Sequence, residues 1–199
     1  MSAGSTHPDQ AGLDVSALAD SQGVLFDEST LRPLPAGVGY RGPVACSAAG
    51  ITYRQLDYWA RTGLVTPTVR DAAGSGSQRL YGFRDILILR IVKRLIDTGV
   101  SLPNIRAAVD HLADRSGEDL AGLTIMSDGA SIYECRSADE VVDLVRGGQG
   151  VFGIAVGSVW REVEGTLAQL PGEHPEGEPV APSAASDELA ARRARRAAV

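Results

Sequence analysis

The sequence predicts a mostly α-helical protein with a small amount of β structure, arranged as two folded units between two tails. Three observations support this prediction. Apolar residues recur at helical spacing over residues 83–96 and 102–112. Short apolar runs flank turn sequences rich in Gly, Ser and Asp, which is typical of hairpins. Residues 1–38 and 171–199 are rich in Ser, Gly, Pro and charged residues without a sustained period, so we expect both segments to be disordered.

Two short helices are predicted ahead of the first hairpin. The first opens at Pro43, a favourable first-turn residue, and runs to Gly50. Thr52 is expected to cap the second helix, YRQLDYWART, which ends at Gly63. The runs LVTPTV and QRLYGF are expected to form two strands on either side of the loop RDAAGSGS.

Two longer helices follow this hairpin. The segment FRDILILRIVKRLIDTG carries a wide apolar stripe and stops at Gly99. Ser101 is expected to cap the next helix, LPNIRAAVDHL. Two helices joined by a glycine turn, a hairpin and two more helices make a winged helix-turn-helix plan over residues 39–115.

A small α+β unit is predicted over residues 119–170. The run LTIMSDGASIYEC is expected to form two strands around Asp128-Gly129, a strong hairpin signal. The run SADEVVDLVRGG is a capped helix ended by glycine, VFGIAV is a strand, and SVWREVEGTLAQL is a closing amphipathic helix.

Charge is unevenly distributed along the chain, although its net value is −6. Residues 39–114 carry ten basic and six acidic groups, whereas residues 115–170 carry four basic and nine acidic groups. Attraction to an anion depends on the local field within about one Debye length, roughly 8–10 Å. The basic block therefore keeps nucleic acid open as a partner.

The composition also favours some cellular locations over others. No run of about 18 apolar residues indicates a membrane span, and the N-terminus has neither a basic start nor an apolar stretch typical of a secretory signal. The two cysteines, Cys46 and Cys135, lie far apart and form no CxxC motif. These features predict a protein of the reducing cytoplasm and not a disulfide scaffold.

Residues 43–113, about a third of the chain, resemble the mercury-resistance-regulator (MerR) family of transcription factors. The matching positions lie in the first two helices, at both ends of the hairpin and between the two longer helices. They are Cys46, Gly50, Arg54, Leu56, Tyr58, Trp59, Gly63, Leu64, Pro67, Arg79, Tyr81, Gly99, Ser101 and Leu102. The stretch GYRGPVACSAAGITYRQLDYWART also resembles actinobacterial members.

The sequence departs from the family pattern in three places. Asp57 stands where the family usually has Arg, so this acid must pair locally or face away from phosphate. The wing loop is longer than usual. The family's long dimerisation helix is absent after Leu112, where the chain continues into ADRSGEDLAGL. The usual coiled-coil dimer and the effector site beside it therefore do not carry over.

The resemblance implies that the second helix enters a major groove by its N-terminal end. Arg54 suits guanine and Gln55 suits adenine, because each side chain can make two hydrogen bonds to that base. Trp59 is expected to pack this helix onto the helix that begins at Phe83, whereas Tyr58 is expected to reach a phosphate. The complete predicted DNA-contact set is Thr52, Tyr53, Arg54, Gln55, Tyr58, Arg61, Arg70, Ser77, Gln78, Arg79 and Tyr81. Of these, the wing residues Arg70, Arg79 and Tyr81 are assigned to phosphates.

Other chemical signals are weak. GQGVFG matches GxGxxG, but it follows a predicted helix and opens a predicted strand, which is the wrong context for a dinucleotide fingerprint. His111 is a lone helical residue, and no cysteine cluster or catalytic arrangement is recognisable. The sequence therefore predicts no enzyme, no cofactor and no metal site. The tail arginines at 192–196 are most simply solvated, and the sharper alternative is an auxiliary phosphate or partner contact.

These observations predict a sequence-specific transcriptional regulator that binds double-stranded promoter DNA as a homodimer, with RNA polymerase as a possible further partner and no membrane association. Residues 119–170 are expected to dimerise, to sense a ligand, or to do both. Two alternatives stay open. One is an architectural or excisionase-like protein that bends DNA, and the other is a ligand-binding or enzymatic unit at 119–170 that is tethered to DNA.

One prediction concerns metals and redox. Because the sequence contains no cysteine cluster, DNA binding should not change when the protein is dialysed against a zinc chelator or treated with a mild reductant. Gel-shift titration before and after each treatment measures this. Loss of binding after chelation would reveal a metal site that the sequence does not indicate.

Overall fold

The computed structural model describes residues 37–72, 77–129, 131–147 and 152–180. The predictions for residues 1–36, for the tip of the first loop, for most of GQGVFG and for the tail arginines lie outside the described residues. In the described part the protein is mostly helical with three small sheets. The elements are β1 (Tyr40–Arg41), α1 (Gly42–Ala49), α2 (Tyr53–Arg61), β2 (Leu80–Tyr81), α3 (Phe83–Asp97), α4 (Leu102–Ala113), α5 (Gly117–Ala121), β3 (Thr124–Ser127), β4 (Ile132–Cys135), α6 (Ala138–Arg146), β5 (Phe152–Ala155), α7 (Val156–Leu167), β6 (Gly172–Glu173) and β7 (Pro179–Val180).

Helices α1 and α2 form where the sequence predicts them. Proline lies in the first turn of α1, and Gly50 ends this helix with a φ of 68°, a left-handed conformation that glycine adopts readily. Thr52 and Gln55 make a reciprocal capping box at the start of α2, which confirms the predicted cap. The turn between the helices is therefore fixed at both of its ends.

The wing segment, residues 64–81, differs from the predicted hairpin. Arg70 and Leu80 form a single bridge, and β2 pairs with β1 through Tyr40↔Tyr81 and Arg41↔Leu80. The prediction of a strand over LVTPTV is wrong. Proline at position 67 has no amide hydrogen for a ladder, and the carboxylate of Asp85 instead accepts hydrogen bonds from the Thr68 amide and hydroxyl.

Helix α3 lies at the centre of the fold. Nine of its fifteen residues are buried, in agreement with its wide apolar stripe. It packs against α1, α4, α7 and β2. The helix is followed by Gly99, at φ 85°, as the sequence predicts. Ser101 lies at the N-cap of α4, but its side chain makes no capping hydrogen bond.

The C-terminal unit contains a three-stranded antiparallel sheet with the order β4-β3-β5. The hairpin at Asp128-Gly129 is confirmed, with Gly129 at φ 87°. The sequence analysis missed the short helix α5, which Ser116 caps by accepting a hydrogen bond from the Asp119 amide. Helix α7 follows β5 directly and packs against α3, which joins the C-terminal unit to the N-terminal half.

One hydrophobic core connects both units, because buried residues from Tyr40 to Leu167 belong to a single cluster. The Phe83 and Trp160 rings lie 4.9 Å apart between α3 and α7. Trp59 of α2 is buried in the same cluster. The predicted ranges 39–115 and 119–170 therefore share a core and do not form separate hydrophobic interiors.

The prediction of disorder from residue 171 onward is wrong for residues 171–180. Strands β6 and β7 pair with each other, and Gly39 exchanges two backbone hydrogen bonds of 2.8 Å with Glu173. The pairing partner of this hairpin lies more than 130 residues earlier in the chain, so local composition does not reveal it. Among the described residues, no helix is long and apolar enough to cross a membrane.

Replacing Trp160 with alanine should destabilise the N-terminal half as well as the C-terminal unit. The Trp160 side chain is 3% exposed, and truncating a buried tryptophan costs about 3–5 kcal/mol of unfolding free energy. Urea denaturation followed by circular dichroism measures the loss. Arg161→Ala, on the exposed face of the same helix, should change the unfolding free energy by less than about 0.5 kcal/mol. A similar small change for Trp160→Ala would contradict the shared core.

Candidate nucleic-acid interface

Helix α2 has one buried face and one exposed face. Leu56 and Trp59 are buried and hold the helix against the core. Tyr53 and Tyr58 are 64% and 52% exposed, and Arg54 is exposed between them. The helix is thus held by one face while its N-terminal turn stays accessible to a large ligand.

The N-terminal turn of α2 is fixed by its capping box. Gln55 Oε1 accepts hydrogen bonds from the Thr52 amide at 2.9 Å and from the Thr52 hydroxyl at 3.0 Å. The Gln55 backbone amide donates to Thr52 Oγ1 at 3.2 Å. A glutamine that reads adenine uses both atoms of its side-chain amide, but Gln55 Oε1 is bound to Thr52. Gln55 therefore acts as a capping residue in this conformation.

Arg54 is the exposed arginine of this turn. Within the described part of the chain, its guanidinium has no hydrogen bond or ion pair, and neither Asp57 nor Asp71 contacts it. A guanidinium presents five donors in a planar fork that matches the O6 and N7 acceptors of guanine. Arg54 is therefore available to a ligand without breaking an internal contact.

Asp57 links α2 to the wing segment. Its carboxylate accepts from Arg61 Nε at 2.9 Å and from Arg79 Nη1 at 3.1 Å. The hydrogen bond from Arg79 is the main cause that holds the pKa of Asp57 below its ordinary value. Arg79 also lies 3.5 Å from Asp71. The expectation that Asp57 pairs locally is confirmed.

Glu173 links the wing segment to the C-terminal hairpin. Its side chain is 9% exposed and accepts from Arg41 Nε at 2.6 Å and from Arg70 Nη2 at 3.0 Å. Arg70 also donates to the Pro175 carbonyl at 2.7 Å. Sequence analysis missed Glu173 because its partners are about 100 and 130 residues away and residue 171 was taken as the start of a disordered tail.

The two acidic links change the predicted roles of three wing residues. Arg70 and Arg79 are paired internally, so neither side chain is free for phosphate in this conformation. The predicted phosphate contact of Tyr81 is wrong for the folded chain, because Tyr81 is 1% exposed. Burial raises the pKa of Tyr81 to about 12. Ser77 and Gln78 are exposed, as a contact role requires.

A groove of about 420 Å³ separates the start of α2 from the wing segment. Its walls include Arg41, Tyr53, Asp57, Gln78 and Arg79. Of the predicted contact residues, Tyr53 from α2 and Ser77, Gln78, Arg79 and Tyr81 from the wing segment line this groove. We call the groove, together with the exposed side of α2 and the adjoining wing segment, the α2–wing surface. Arg41, which sequence analysis left out of the site, lies on the same surface.

Comparison with known proteins shows which family the chain belongs to. A model of the MerR HTH family of regulatory proteins matches residues 40–112. An uncharacterized HTH-type transcriptional regulator of Mycobacterium tuberculosis is 65% identical over 160 residues, which cover 80% of this chain and 70% of that protein. The chain belongs to the MerR family of DNA-binding transcriptional regulators. The family match ends within α4, so the C-terminal unit lies outside it.

More distant relatives share a smaller part of the chain. The HTH-type transcriptional regulator HmrR of Sinorhizobium medicae is 33% identical over 72 residues, 36% of this chain and 47% of that protein. The heavy metal-dependent transcription regulator 2 of Rhizobium meliloti is 32% identical over 72 residues, with the same coverage. In the ranges of this chain that the structure describes, no group of three or more His, Cys, Asp and Glu side chains is placed to hold a metal ion.

Replacing Glu173 with glutamine should loosen the wing segment. The substitution keeps the shape of the side chain but removes the charge that holds Arg41 and Arg70, and hydrogen bonds to charged groups contribute about 1.5–3 kcal/mol each. We expect a lower thermal midpoint and faster amide exchange in β1 and β2. Glu176→Gln, an exposed position in the same hairpin, is the matched control. Equal exchange rates in the two variants would contradict this role of Glu173.

Proposed function

We propose that this MerR-family regulator binds promoter DNA sequence-specifically as a dimer, with the N-terminal turn of α2 in the major groove. The observation that carries the proposal is the contrast among the arginines of the α2–wing surface. Arg54 is exposed and has no partner in the described residues, whereas Arg41, Arg61, Arg70 and Arg79 each pair with an acid. A free guanidinium at the N-terminal end of a capped helix suits base recognition.

The residues of the α2–wing surface have different roles: some contact base edges, some contact phosphates and some hold the surface in shape. Arg54 reads a base edge, and Tyr53 flanks it on the exposed turn. We assign Tyr58 and Arg61, further along the exposed side of α2, to phosphates, which fix orientation without carrying sequence information. Arg61 bonds Asp57 through Nε alone and its side chain is 65% exposed, so its terminal nitrogens are open to a ligand, unlike those of the less exposed Arg70 and Arg79. Thr52 and Gln55 hold the turn, while Arg70 and Arg79 hold the wing segment so that Ser77 and Gln78 approach the backbone. Tyr81 is a core residue in this scheme.

The regulatory role follows from binding at a promoter. A bound dimer either assists or blocks RNA polymerase, and we place this activity in the cytoplasm, at the nucleoid. The surface of the unit at 119–170 favours dimerisation over ligand sensing, because helix α6 leaves apolar side chains exposed. A DNA-bending protein of modest specificity is the second candidate, and the free Arg54 favours the sequence-specific regulator over it.

Substitution of Arg54 separates base reading from general electrostatic attraction. A bidentate base contact discriminates by about 1–3 kcal/mol, so Arg54→Ala should weaken operator binding by roughly that amount per half-site and barely affect random DNA. Genome-wide crosslinking first identifies the operator. Fluorescence titration with the operator and with a scrambled duplex then gives both affinities.

Arg61→Ala provides the matched comparison on the same helix. Loss of a phosphate contact should weaken binding to both duplexes alike and reduce the slope of log affinity against log salt by about 0.9 per contact. The outcome that would contradict the proposal is an equal loss on the operator and the scrambled duplex for Arg54→Ala.

A further inference from the structure

Helix α6 is the least buried helix of the C-terminal unit. Its N-terminus is secured by Ser137, whose hydroxyl accepts from the Glu140 amide, and by Glu140, whose carboxylate accepts from the Arg136 amide. None of its nine residues is buried. The helix is thus well capped and connects two strands of one sheet, yet it contributes no buried side chain to the core.

The outer face of α6 is apolar. Ala138, Val142 and Val145 are exposed and follow one another at spacings of four and three residues, which places them on one ridge. Val142 is 43% exposed and Val145 is 56% exposed. Val141 and Leu144 lie on the side of the helix that is half-buried. The exposed valines and alanine give this capped helix a small apolar face that a second surface can cover.

The charges beside this ridge identify what that surface is. Asp139 and Arg146 are seven residues apart, so they lie on the same flank of the ridge and about 10 Å apart along the helix. Neither side chain has an ion pair within the described residues. When two such helices pack antiparallel about a two-fold axis, the flank that carries Asp139 and Arg146 lies on the same side of the contact in both copies. The N-terminal end of each helix then lies beside the C-terminal end of the other. The acid of each helix then meets the arginine of the other.

We propose that a second copy of this chain covers α6, in an antiparallel α6–α6 contact whose two-fold axis passes near Val142. The valine ridges pack together, and Asp139 of each copy pairs with Arg146 of the other. Antiparallel packing also aligns the two helix dipoles favourably, because the N-terminal end of each helix lies beside the C-terminal end of the other.

The size of the contact sets its strength. Two helices of nine residues are each about 14 Å long, and their contact is smaller than the roughly 1,200–2,000 Å² that stable interfaces bury. We therefore expect a weak dimer in solution that becomes the dominant form on DNA with two half-sites, where the effective concentration is high. This inference rests on the proposed function for its biological use, but self-association is measured without DNA.

Sedimentation of the full chain without DNA tests the contact. The unmodified protein should shift from monomer to dimer as its concentration rises through about 10–500 µM. Val142→Glu should weaken self-association at least tenfold, whereas Arg161→Glu on α7 should leave it unchanged. Arg146→Asp should weaken association, and combining it with Asp139→Arg should restore most of the loss. Circular dichroism of each variant verifies that the helix content is retained.

Disulfide trapping tests the α6–α6 contact without reversing any charge on the helix. Val142→Cys should form an intermolecular disulfide under mild oxidation, because the two-fold axis brings the two positions together. The same change at Thr166, on α7, should not. An unmodified chain that stays monomeric throughout, or a double charge reversal without recovery and no disulfide at position 142, would overturn the proposal.

Two further measurements separate the alternatives. A chain ending at residue 182 should self-associate like the full chain. Loss of association would instead mean that the basic tail, and not a second α6, binds the valine ridge. Binding of a single half-site should be the same for Val142→Glu and the unmodified chain. A defect on the half-site would mean that the substitution damages the α2–wing surface, whereas failure of all chains on DNA would reject the proposed function alone.

Discussion

The burial of α3 is the constraint on which the rest of the structure depends. This helix contacts α1 and β2 on the DNA-binding side and α7 on the C-terminal side, so it fixes both units in one framework. Interiors packed at crystal-like density transmit displacement. The Phe83–Trp160 contact therefore couples the position of the C-terminal unit to the helix pair that carries the exposed turn.

Ion pairs between acids and arginines organise the α2–wing surface. Two acids, Asp57 and Glu173, each hold two arginines, and both pairs fix the wing segment relative to its neighbours. Arginines that are paired with these acids hold the wing segment in place. Because their charge is partly neutralised, they attract DNA less than free arginines would. Among the arginines of the α2–wing surface, Arg54 is exposed and has no partner in the described part of the chain, and it lies where we propose a base contact. A reduced number of free cations is also consistent with a regulator that rejects random DNA, because non-specific affinity grows with each phosphate neutralised.

The sequence predicted the features that depend on local signals. The Thr52 cap, the apolar stripe of α3 and the Asp128-Gly129 hairpin are all encoded within a few residues, and all three are confirmed. Other features depend on contacts between distant segments, which composition and periodicity do not reveal. They are the pairing of β1 with β2, the burial of Tyr81 and the ion pairs of Glu173 with Arg41 and Arg70. The same limit explains why Arg70 and Arg79 were assigned to phosphates: their acidic partners lie at long range.

Position-specific modification of the operator tests the central claim most directly. Replacing a half-site guanine by 7-deazaguanine removes the N7 acceptor while keeping base pairing intact. We predict that one such replacement weakens the unmodified chain roughly tenfold or more and has no further effect on Arg54→Ala, because the contact is already lost. If every half-site guanine can be replaced without effect on the unmodified chain, or if both proteins lose affinity equally, Arg54 does not read guanine from the major groove and the account of this surface is wrong.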